Sequence, residues 1–302
     1  MSTHKKKINV VHLVEELTIG GLERVLSTIA LGLNKSKYNV HVWCLREGGF
    51  FADKLIKEGI EVKIIHISTS RNPLSICKLC KLLKSNNFDI IHTHAYSAGT
   101  IGRISAFLAG VPVIISHNHS VYNYYNKYYN FVEWFLSHIT DRIICVSDVA
   151  KGFANKLQGI DSKKLLTIHN GIDNICFATG RETNSLKEEL GIPINHSVIC
   201  TITHMEKHKG VIYLIKAASL LLETIKNISF LLVGDGSLKE ELYGAMNDLL
   251  DNREHMEEMG HKGKIICDEN FDAKTMVSKI EDLYDFLLVK QGKVHKLRII
   301  IA

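Results

Sequence analysis

Two pairs of histidines, each separated by one residue, stand where buried strands are predicted to end. They are His92 with His94, and His117 with His119. Because residues i and i+2 of a strand face the same way, each pair could form half of a zinc site. No carboxylate or cysteine cluster accompanies the pairs, which favours another use, as neutral imidazoles that line a cleft and hydrogen-bond to sugar or phosphate oxygens. We therefore expect no metal and no cofactor.

Glycines and one lysine form a second set of candidate residues, suited to binding anions. Gly20 and Gly21 follow the first predicted strand and open a helix, so free N–H groups can face a ligand, although a plain strand-to-helix turn is the alternative. Lys209 precedes another predicted helix, where its charge suits a diphosphate. Gly234 and Gly236 form a similar turn after the next strand. The glycine patterns of dinucleotide-binding and P-loop proteins are absent, which argues against a nicotinamide-dependent enzyme.

An aromatic segment, residues 122–135, contains eight aromatic side chains in fourteen residues. Core packing accounts for about half of them. The others, with Tyr124 and Tyr125 beside Lys127, predict a surface that rests on a membrane interface or holds a sugar or lipid-linked acceptor. By contrast, Cys77 and Cys80 lie in an apolar helix without the turn of a redox motif, which favours core packing.

The elements that position these residues alternate along the first 170 residues. Runs that are hydrophobic almost throughout predict strands covered on both faces, and the helices between them predict a doubly wound parallel sheet of the α/β class. Ligands collect beyond the carboxyl ends of such strands. The predicted strands are Ile8–Val14, Val40–Leu45, Val62–Ile67, Asp89–Thr93, Pro112–Ser116 and Arg142–Ser147, and the predicted helices are Leu22–Leu33, Phe51–Glu58, Leu74–Ser85, Ala98–Leu108 and Asn126–Ser137.

A second α/β pattern follows a polar stretch at 178–187. Its predicted elements are the strand Val198–Ile202, the helix Val211–Leu222 and the strand Ile228–Val233, after which helical periodicity continues to about Leu288. Two strands are too few for a covered parallel sheet, and a strand at 294–302 would not repair the shortage. We predict an N-terminal Rossmann-like domain at 1–177, a truncated C-terminal domain at 178–288 and a tail at 289–302.

Composition excludes several classes of protein. The chain has 46% hydrophobic and 23% charged residues, which excludes a disordered or fibrous protein, and its net charge of +5 is not gathered into an arginine-rich stripe that would bind nucleic acid. The first apolar run reads as a strand and not a signal peptide, and the uncharged stretch 104–126 is too polar to cross a membrane. Seven scattered cysteines indicate a reducing cytoplasm. We expect a cytoplasmic protein, at the inner face of the membrane if the aromatic segment contacts lipid.

The order of these motifs resembles the family-4 retaining glycosyltransferases of the GT-B fold. The resemblance extends from Ile8 to about Leu287, including the helical end with Met259-Gly260, Phe271 and Tyr284. It rests on Gly20-Gly21, Asp89-Ile-Ile-His-Thr-His94, Pro112-Val-Ile-Ile-Ser-His-Asn-His119, Val146-Ser147, His169-Asn-Gly-Ile-Asp173, Lys209-Gly210 and Val233-Gly-Asp-Gly236.

The resemblance implies two Rossmann-like domains, a nucleotide-sugar donor held by the second and an acceptor held by the first. It makes His117 and Lys209 the catalytic residues: His117 lies near the transferred sugar, and Lys209 stabilises the departing diphosphate. His204 stands where the family commonly has arginine. The donor-side residues are then Gly20, Gly21, His204, Lys209, Gly234 and Gly236, and the acceptor-side residues are His94, His119, Tyr124 and Tyr125.

The chain departs from the family after Gly236. The family continues with further strands and two glutamates eight positions apart that hold the donor, whereas here the terminal helices follow almost at once. The chain therefore looks internally deleted near residues 243–245. We expect transfer of a sugar from a nucleoside diphosphate to a hydroxyl acceptor, with retention and without an obligatory metal, in cell-surface polysaccharide or glycolipid synthesis. The alternative is a non-catalytic remnant that keeps only acceptor or partner binding.

Overall fold

The computed structural model of the chain describes residues 6–67, 72–119, 127–172, 183–203, 205, 209–222, 227–234 and 272–291. The chain divides into two compact units. The first unit comprises residues 1–174 and 270–302, and the second comprises residues 175–269. Each unit is described by itself below.

A seven-stranded parallel sheet forms the centre of the first unit, with the strand order β3-β2-β1-β4-β5-β6-β7. Its central strands are buried on both faces, as their continuous hydrophobicity predicts. The predicted doubly wound α/β fold is confirmed. The strands are β1 (Ile8–Val14), β2 (Tyr38–Cys44), β3 (Glu61–Ile64), β4 (Ile90–His94), β5 (Val113–Asn118), β6 (Arg142–Cys145) and β7 (Leu165–Thr167).

Six helices connect these strands and cover the sheet with apolar faces. The helix that contains Gly102 approaches the sheet especially closely, since a Cβ on Gly102 would lie 2.6 Å from side-chain atoms of Leu13 and Thr93. The helices are α1 (Gly21–Gly32), α2 (Phe50–Lys57), α3 (Pro73–Asn86), α4 (Ala95–Ala109), α5 (Lys127–Ser137) and α6 (Asp148–Lys156). The sequence-based prediction did not identify α6 or β7. A strand of three residues is too short to produce a recognisable hydrophobic pattern.

The second unit contains the parallel pair β8 (Ser197–Ile202) and β9 (Ile228–Val233), with helices α7 (Thr183–Glu189) and α8 (Val211–Leu222). Met205 packs against apolar residues of α8 in a small core. The predicted strands and helix in this region are confirmed. Residues 235–271 and 292–302 lie outside the described part of the chain, as do the predicted helical stretch up to 271, the predicted deletion and the predicted tail strand.

The C-terminal helix α9 (Ala273–Lys290) corrects the predicted domain organisation. The sequence places this helix in the second domain, whereas the structure assigns it to the first unit. Its apolar face, which includes Val277 and Tyr284, belongs to the core formed by one side of the sheet. Asp285 accepts a hydrogen bond from the Tyr38 hydroxyl at 3.1 Å and forms an ion pair with Lys37. Helical periodicity shows that a face must be covered, but it does not show which domain covers it.

Candidate functional site

Three neighbouring strands bring five histidines together in the first unit. In the sheet register, His12 of β1 lies beside His92 of β4, and His94 of β4 lies beside His117 of β5, with His119 directly after β5. The first four are fully buried, and His119 is partly buried. The predicted pairs therefore lie side by side. The sequence-based prediction missed His12, because nothing in the pattern distinguishes a single histidine at the fifth position of an apolar strand.

Hydrogen bonds connect the five rings, which we call the histidine cluster. His12 Nδ1 lies 3.0 Å from His94 Nε2, and His94 Nδ1 lies 3.0 Å from His119 Nε2. A separate hydrogen bond joins His92 Nε2 to His117 Nδ1 at 3.2 Å. The Tyr284 hydroxyl of α9 lies 2.6 Å from His92 Nδ1, so the C-terminal helix supports the histidine cluster directly.

The histidine cluster is neutral near pH 7. Desolvation by burial lowers the pKa of His12 and of His119 to about 3. Desolvation, and then the neighbouring histidines, hold the pKa of His92, His94 and His117 well below the ordinary value. A neutral imidazole has one N–H donor and one lone pair, so each ring can accept at one nitrogen and donate at the other.

Two buried nitrogens of the histidine cluster, His117 Nε2 and His119 Nδ1, have no hydrogen-bond partner among the described residues. Buried polar atoms of native proteins are nearly always paired, so such atoms point to a bound molecule or ion. Both residues lie where β5 ends, and ligands of doubly wound sheets collect beyond the carboxyl ends of strands. The histidine cluster is therefore the candidate functional site of the first unit.

The chain turns sharply after β4, where Ala95 has a φ of 60°. A non-glycine residue in this left-handed region is strained, and such strain is common next to functional sites. The turn starts α4 directly after His94. A buried ion pair then fixes α4 against α5, because Arg103 Nη2 lies 2.6 Å from Glu133 Oε1. Arg103 Nε also donates to the carbonyl of Gly99 at 2.9 Å.

The predicted phosphate loop lies at the start of α1. Gly20 is the N-cap residue and has extended backbone, and the position of a Cβ on Gly21 has no atom within 4 Å. The carboxyl group of Glu23 folds back over this loop, since a Cβ on Gly20 would lie 2.2 Å from Glu23 Oε2. Burial raises the pKa of Glu23. This carboxyl group must move before an anion can bind at the N–H groups of this loop.

The second unit contains two of the predicted donor-side residues, one just before a helix and one just after a strand. Lys209 is exposed and lies just before α8. Gly234 follows β9 with a φ of 150°, and a Cβ there would lie 1.9 Å from the carbonyl oxygen of Thr203, so only glycine fits. His204, Gly236, Tyr124 and Tyr125 lie outside the described residues, and their predicted roles stay predictions.

The described part of the aromatic segment forms α5. Its residues Tyr128, Phe131 and Phe135 are 63%, 59% and 59% exposed, while Leu136 is buried. The spacing of three and four residues places the exposed rings on one side of the helix. None of the helices in the described ranges combines the length and apolar composition needed to cross a bilayer.

A family model of Glycosyltransferase Family 4 matches residues 19–174, just over half of the chain. The chain belongs to glycosyltransferase family 4. The match includes both predicted histidine pairs and the Gly20-Gly21 loop. The predicted family is therefore confirmed.

Curated relatives of this family-4 chain are similar over most of its length. The UDP-Gal:alpha-D-GlcNAc-diphosphoundecaprenol alpha-1,3-galactosyltransferase of Escherichia coli is 29% identical over 82% of this chain and 67% of its own length. The putative glycosyltransferase EpsF of Bacillus subtilis is 24% identical over 80% of this chain and 65% of its own length. The capsular polysaccharide biosynthesis glycosyltransferase CapH of Staphylococcus aureus is 30% identical, over 59% of this chain and 52% of its own length. The chain thus spans between half and two thirds of these relatives.

Solved structures confirm the GT-B fold of this family-4 chain. Anabaena HepE in complex with UDP and glucose has a TM-score of 0.66 at 20% identity, over 81% of this chain and 68% of HepE. A glycosyltransferase from Rickettsia africae has a TM-score of 0.67 at 20% identity, over 94% of this chain and 99% of its own. At this identity the likeness concerns the fold alone.

Proposed function

We propose that the chain transfers a sugar from a nucleoside-diphosphate sugar to a hydroxyl acceptor, with retention at the anomeric carbon. Its biological setting in this proposal is the synthesis of a cell-surface polysaccharide or glycolipid. Family membership supports the proposal, as do the relatives named for O-antigen and capsule synthesis. The structural observation that carries it is the neutral His117 at the carboxyl end of β5, whose Nε2 has no partner within the described ranges of the chain.

In the proposed reaction, His117 Nε2 contacts a hydroxyl of the transferred sugar, and His94 and His119 line the acceptor side. His94 and His92 hold the orientation of their neighbours through the hydrogen bonds given above. A neutral imidazole suits this contact because it can bind a hydroxyl without attracting the diphosphate.

Charge on the leaving diphosphate is stabilised by Lys209, by N–H groups at the Gly20-Gly21 loop and by His204, with Gly234 and Gly236 forming the turn beside the nucleotide. Positive groups that are already in place where charge develops are usually the largest catalytic contribution. In this proposal the reaction needs no obligatory metal. Glu23 has to leave the start of α1 when the donor binds, because its carboxyl group would repel the diphosphate.

The test is a transfer assay with UDP- and GDP-sugars in buffer that contains EDTA. The E. coli relative's name makes UDP-galactose and N-acetylglucosaminyl-diphosphoundecaprenol the first donor and acceptor to try. We expect Lys209→Ala to lower kcat about 100- to 1,000-fold, since loss of one charge-stabilising donor typically costs that much. The control is Lys57→Ala, an exposed lysine of α2. Unchanged kcat in Lys209→Ala would contradict the role assigned to Lys209. Retention at the anomeric carbon is tested separately, by NMR of the anomeric proton of the product.

A lipid-linked acceptor implies contact with a membrane, and the exposed rings of α5 are suited to it. Tyr128, Phe131 and Phe135 form an apolar side on a helix that the buried Arg103–Glu133 pair holds in place. Aromatic rings favour the interface between lipid and water. We propose that this side of α5 rests on the cytoplasmic face of the membrane.

Liposome flotation tests the membrane contact. We expect Phe131→Ser with Phe135→Ser to reduce the membrane-bound fraction several-fold on vesicles that contain anionic lipid. The matched control is Phe50→Ser with Leu74→Ser, which removes side chains that are 58% and 75% exposed on other helices. Equal flotation of the two double variants would end the proposal of contact through α5.

The second candidate function is a non-catalytic remnant that binds only an acceptor or partner. The observation that favours it is in the sequence, where no two glutamates after Gly236 stand eight positions apart. Titration of the purified chain with UDP- and GDP-sugars decides between the two. Saturable binding supports the enzyme, and no binding at millimolar concentration supports the remnant.

A further inference from the structure

We propose that the histidine cluster binds one divalent transition-metal ion per chain, with Zn²⁺ as the ion and His94, His117 and His119 as the ligands. Each of these residues offers one ring nitrogen, and the three nitrogens lie within 4.8 Å of one another. In tetrahedral zinc sites, with Zn–N distances of about 2.0–2.1 Å, two nitrogens are about 3.4 Å apart. His94 Nδ1 and His119 Nε2, which are hydrogen-bonded at 3.0 Å, would move apart by a few tenths of an ångström to bind the ion. The His117 ring, which stacks on His119 with the ring centroids 4.2 Å apart, would turn to bring Nε2 to the ion.

A second trio, His12, His92 and His94, is equally close, but its nitrogens are already used. His92 has both nitrogens hydrogen-bonded, one to Tyr284 at 2.6 Å and one to His117 at 3.2 Å. An ion in this trio would have to break one of those bonds. The trio that we propose also gives up one hydrogen bond, between His94 Nδ1 and His119 Nε2, but it contains His117 Nε2, which has no partner among the described residues and is free to coordinate.

The surroundings of His117 match those of a metal-ligating histidine. When Nε2 of His117 supplies the lone pair, its Nδ1–H donates to His92 Nε2, and the His92 Nδ1–H then donates to the Tyr284 hydroxyl. Such bonds fix the ring orientation and tautomer of metal ligands in known sites. The two hydrogen bonds therefore prepare His117 Nε2 to coordinate an ion.

The donor set and its exposure select the type of ion. Neutral imidazoles suit zinc, copper and nickel, whereas magnesium and calcium require oxygen ligands. His119 is the member of the histidine cluster that is only partly buried, so it gives a hydrated ion a way in. Three protein ligands leave a fourth coordination position for water.

The stoichiometry follows from the position of His94, which belongs to both trios. Its Nε2 faces His12 and its Nδ1 faces His119. A neutral imidazole has a single lone pair and can bind one ion, so a second ion would require the ring to lose its remaining proton. We therefore expect one ion per chain, and His94 is required for it.

The inference does not rest on the proposed transfer reaction, because its readout is metal binding. The two proposals meet at His117, which cannot contact a sugar hydroxyl and coordinate an ion through Nε2 at once. Bound Zn²⁺ is thus expected to exclude the donor sugar from His117, in keeping with a reaction that needs no metal.

The test is calorimetric titration of the full, EDTA-stripped and desalted chain with Zn²⁺ at pH 7.5, supported by the visible absorption of bound Co²⁺. We expect one equivalent in the unmodified chain and in His138→Gln, which changes an exposed histidine outside the histidine cluster. His94→Gln and His119→Gln should each weaken binding by at least about tenfold, as loss of a coordinating group does. His119→Gln keeps the test valid if the buried His94→Gln variant does not fold.

His12→Gln locates the ion, because His12 belongs to the second trio only. We expect this variant to bind Zn²⁺ with an affinity within about threefold of the unmodified chain. The proposal is overturned if the chain binds less than about 0.2 equivalents, if His119→Gln binds as well as His138→Gln, or if His12→Gln loses binding while His119→Gln keeps it.

Discussion

Mild acid should destabilise the first unit of the metal-free chain steeply, because the five histidines of the histidine cluster are neutral when folded. Burial lowers the pKa of His12 and of His119 to about 3, and the pKa of His92, His94 and His117 also lies well below the ordinary value. In the unfolded chain each of these histidines has its ordinary pKa of about 6.5. Below that pH the unfolded state binds protons that the folded state does not, so the free energy of unfolding falls as the pH falls.

The magnitude follows from the same values. At pH 5.5 an unfolded histidine is about 90% protonated, which stabilises the unfolded state by a little over 1 kcal/mol while the folded residue stays neutral. Five such residues give a loss of roughly 7 kcal/mol between pH 7.5 and pH 5.5. A typical domain has about 5–15 kcal/mol in total, so the effect should be large.

Urea unfolding followed by tryptophan fluorescence measures this loss. Both tryptophans of the chain, Trp43 and Trp134, belong to the first unit and report on it alone. Replacing His12 by Gln should reduce the pH-dependent loss by about 1 kcal/mol, since one titrating group is removed. His138→Gln, at an exposed position, should leave the loss unchanged. A free energy of unfolding that is flat between pH 7.5 and 5.5 would refute the reasoning, as would an equal loss in His12→Gln.

Two further predictions concern contacts that hold the candidate site. Arg103→Met should destabilise the chain by about 3–5 kcal/mol, because it leaves the Glu133 carboxylate buried without its partner. Urea unfolding measures this loss. The double variant Arg103→Met with Glu133→Leu should recover much of it, because it removes the buried charge as well. Tyr284→Phe should cost about 1–3 kcal/mol by leaving His92 Nδ1 unpaired, as thermal unfolding would show, whereas Tyr213→Phe at an exposed position should have no effect.

Strand and helix periodicity predicted most of the first unit correctly. The predicted strand Ile8–Val14 has the bounds that the structure gives, and the other strands of the first 145 residues differ by at most three residues at either end. The histidine pairs were also recognisable, because the members of each pair are two residues apart where a predicted strand ends. His12 was not, since a single histidine within an apolar run has no distinguishing spacing. Tyr284 was recognisable only as part of an apolar helix face.

The sequence by itself determined the α/β alternation, the family and the identity of the residues at the ends of β4 and β5. These features depend on local patterns, which are written within a few neighbouring residues. The tertiary structure decided which distant residues meet. It placed His12 and Tyr284, separated by more than 270 positions in the chain, in one hydrogen-bonded cluster, and it assigned α9 to the first unit. Such contacts depend on sheet register and helix packing, and they join distant segments whose local sequences do not indicate the contact.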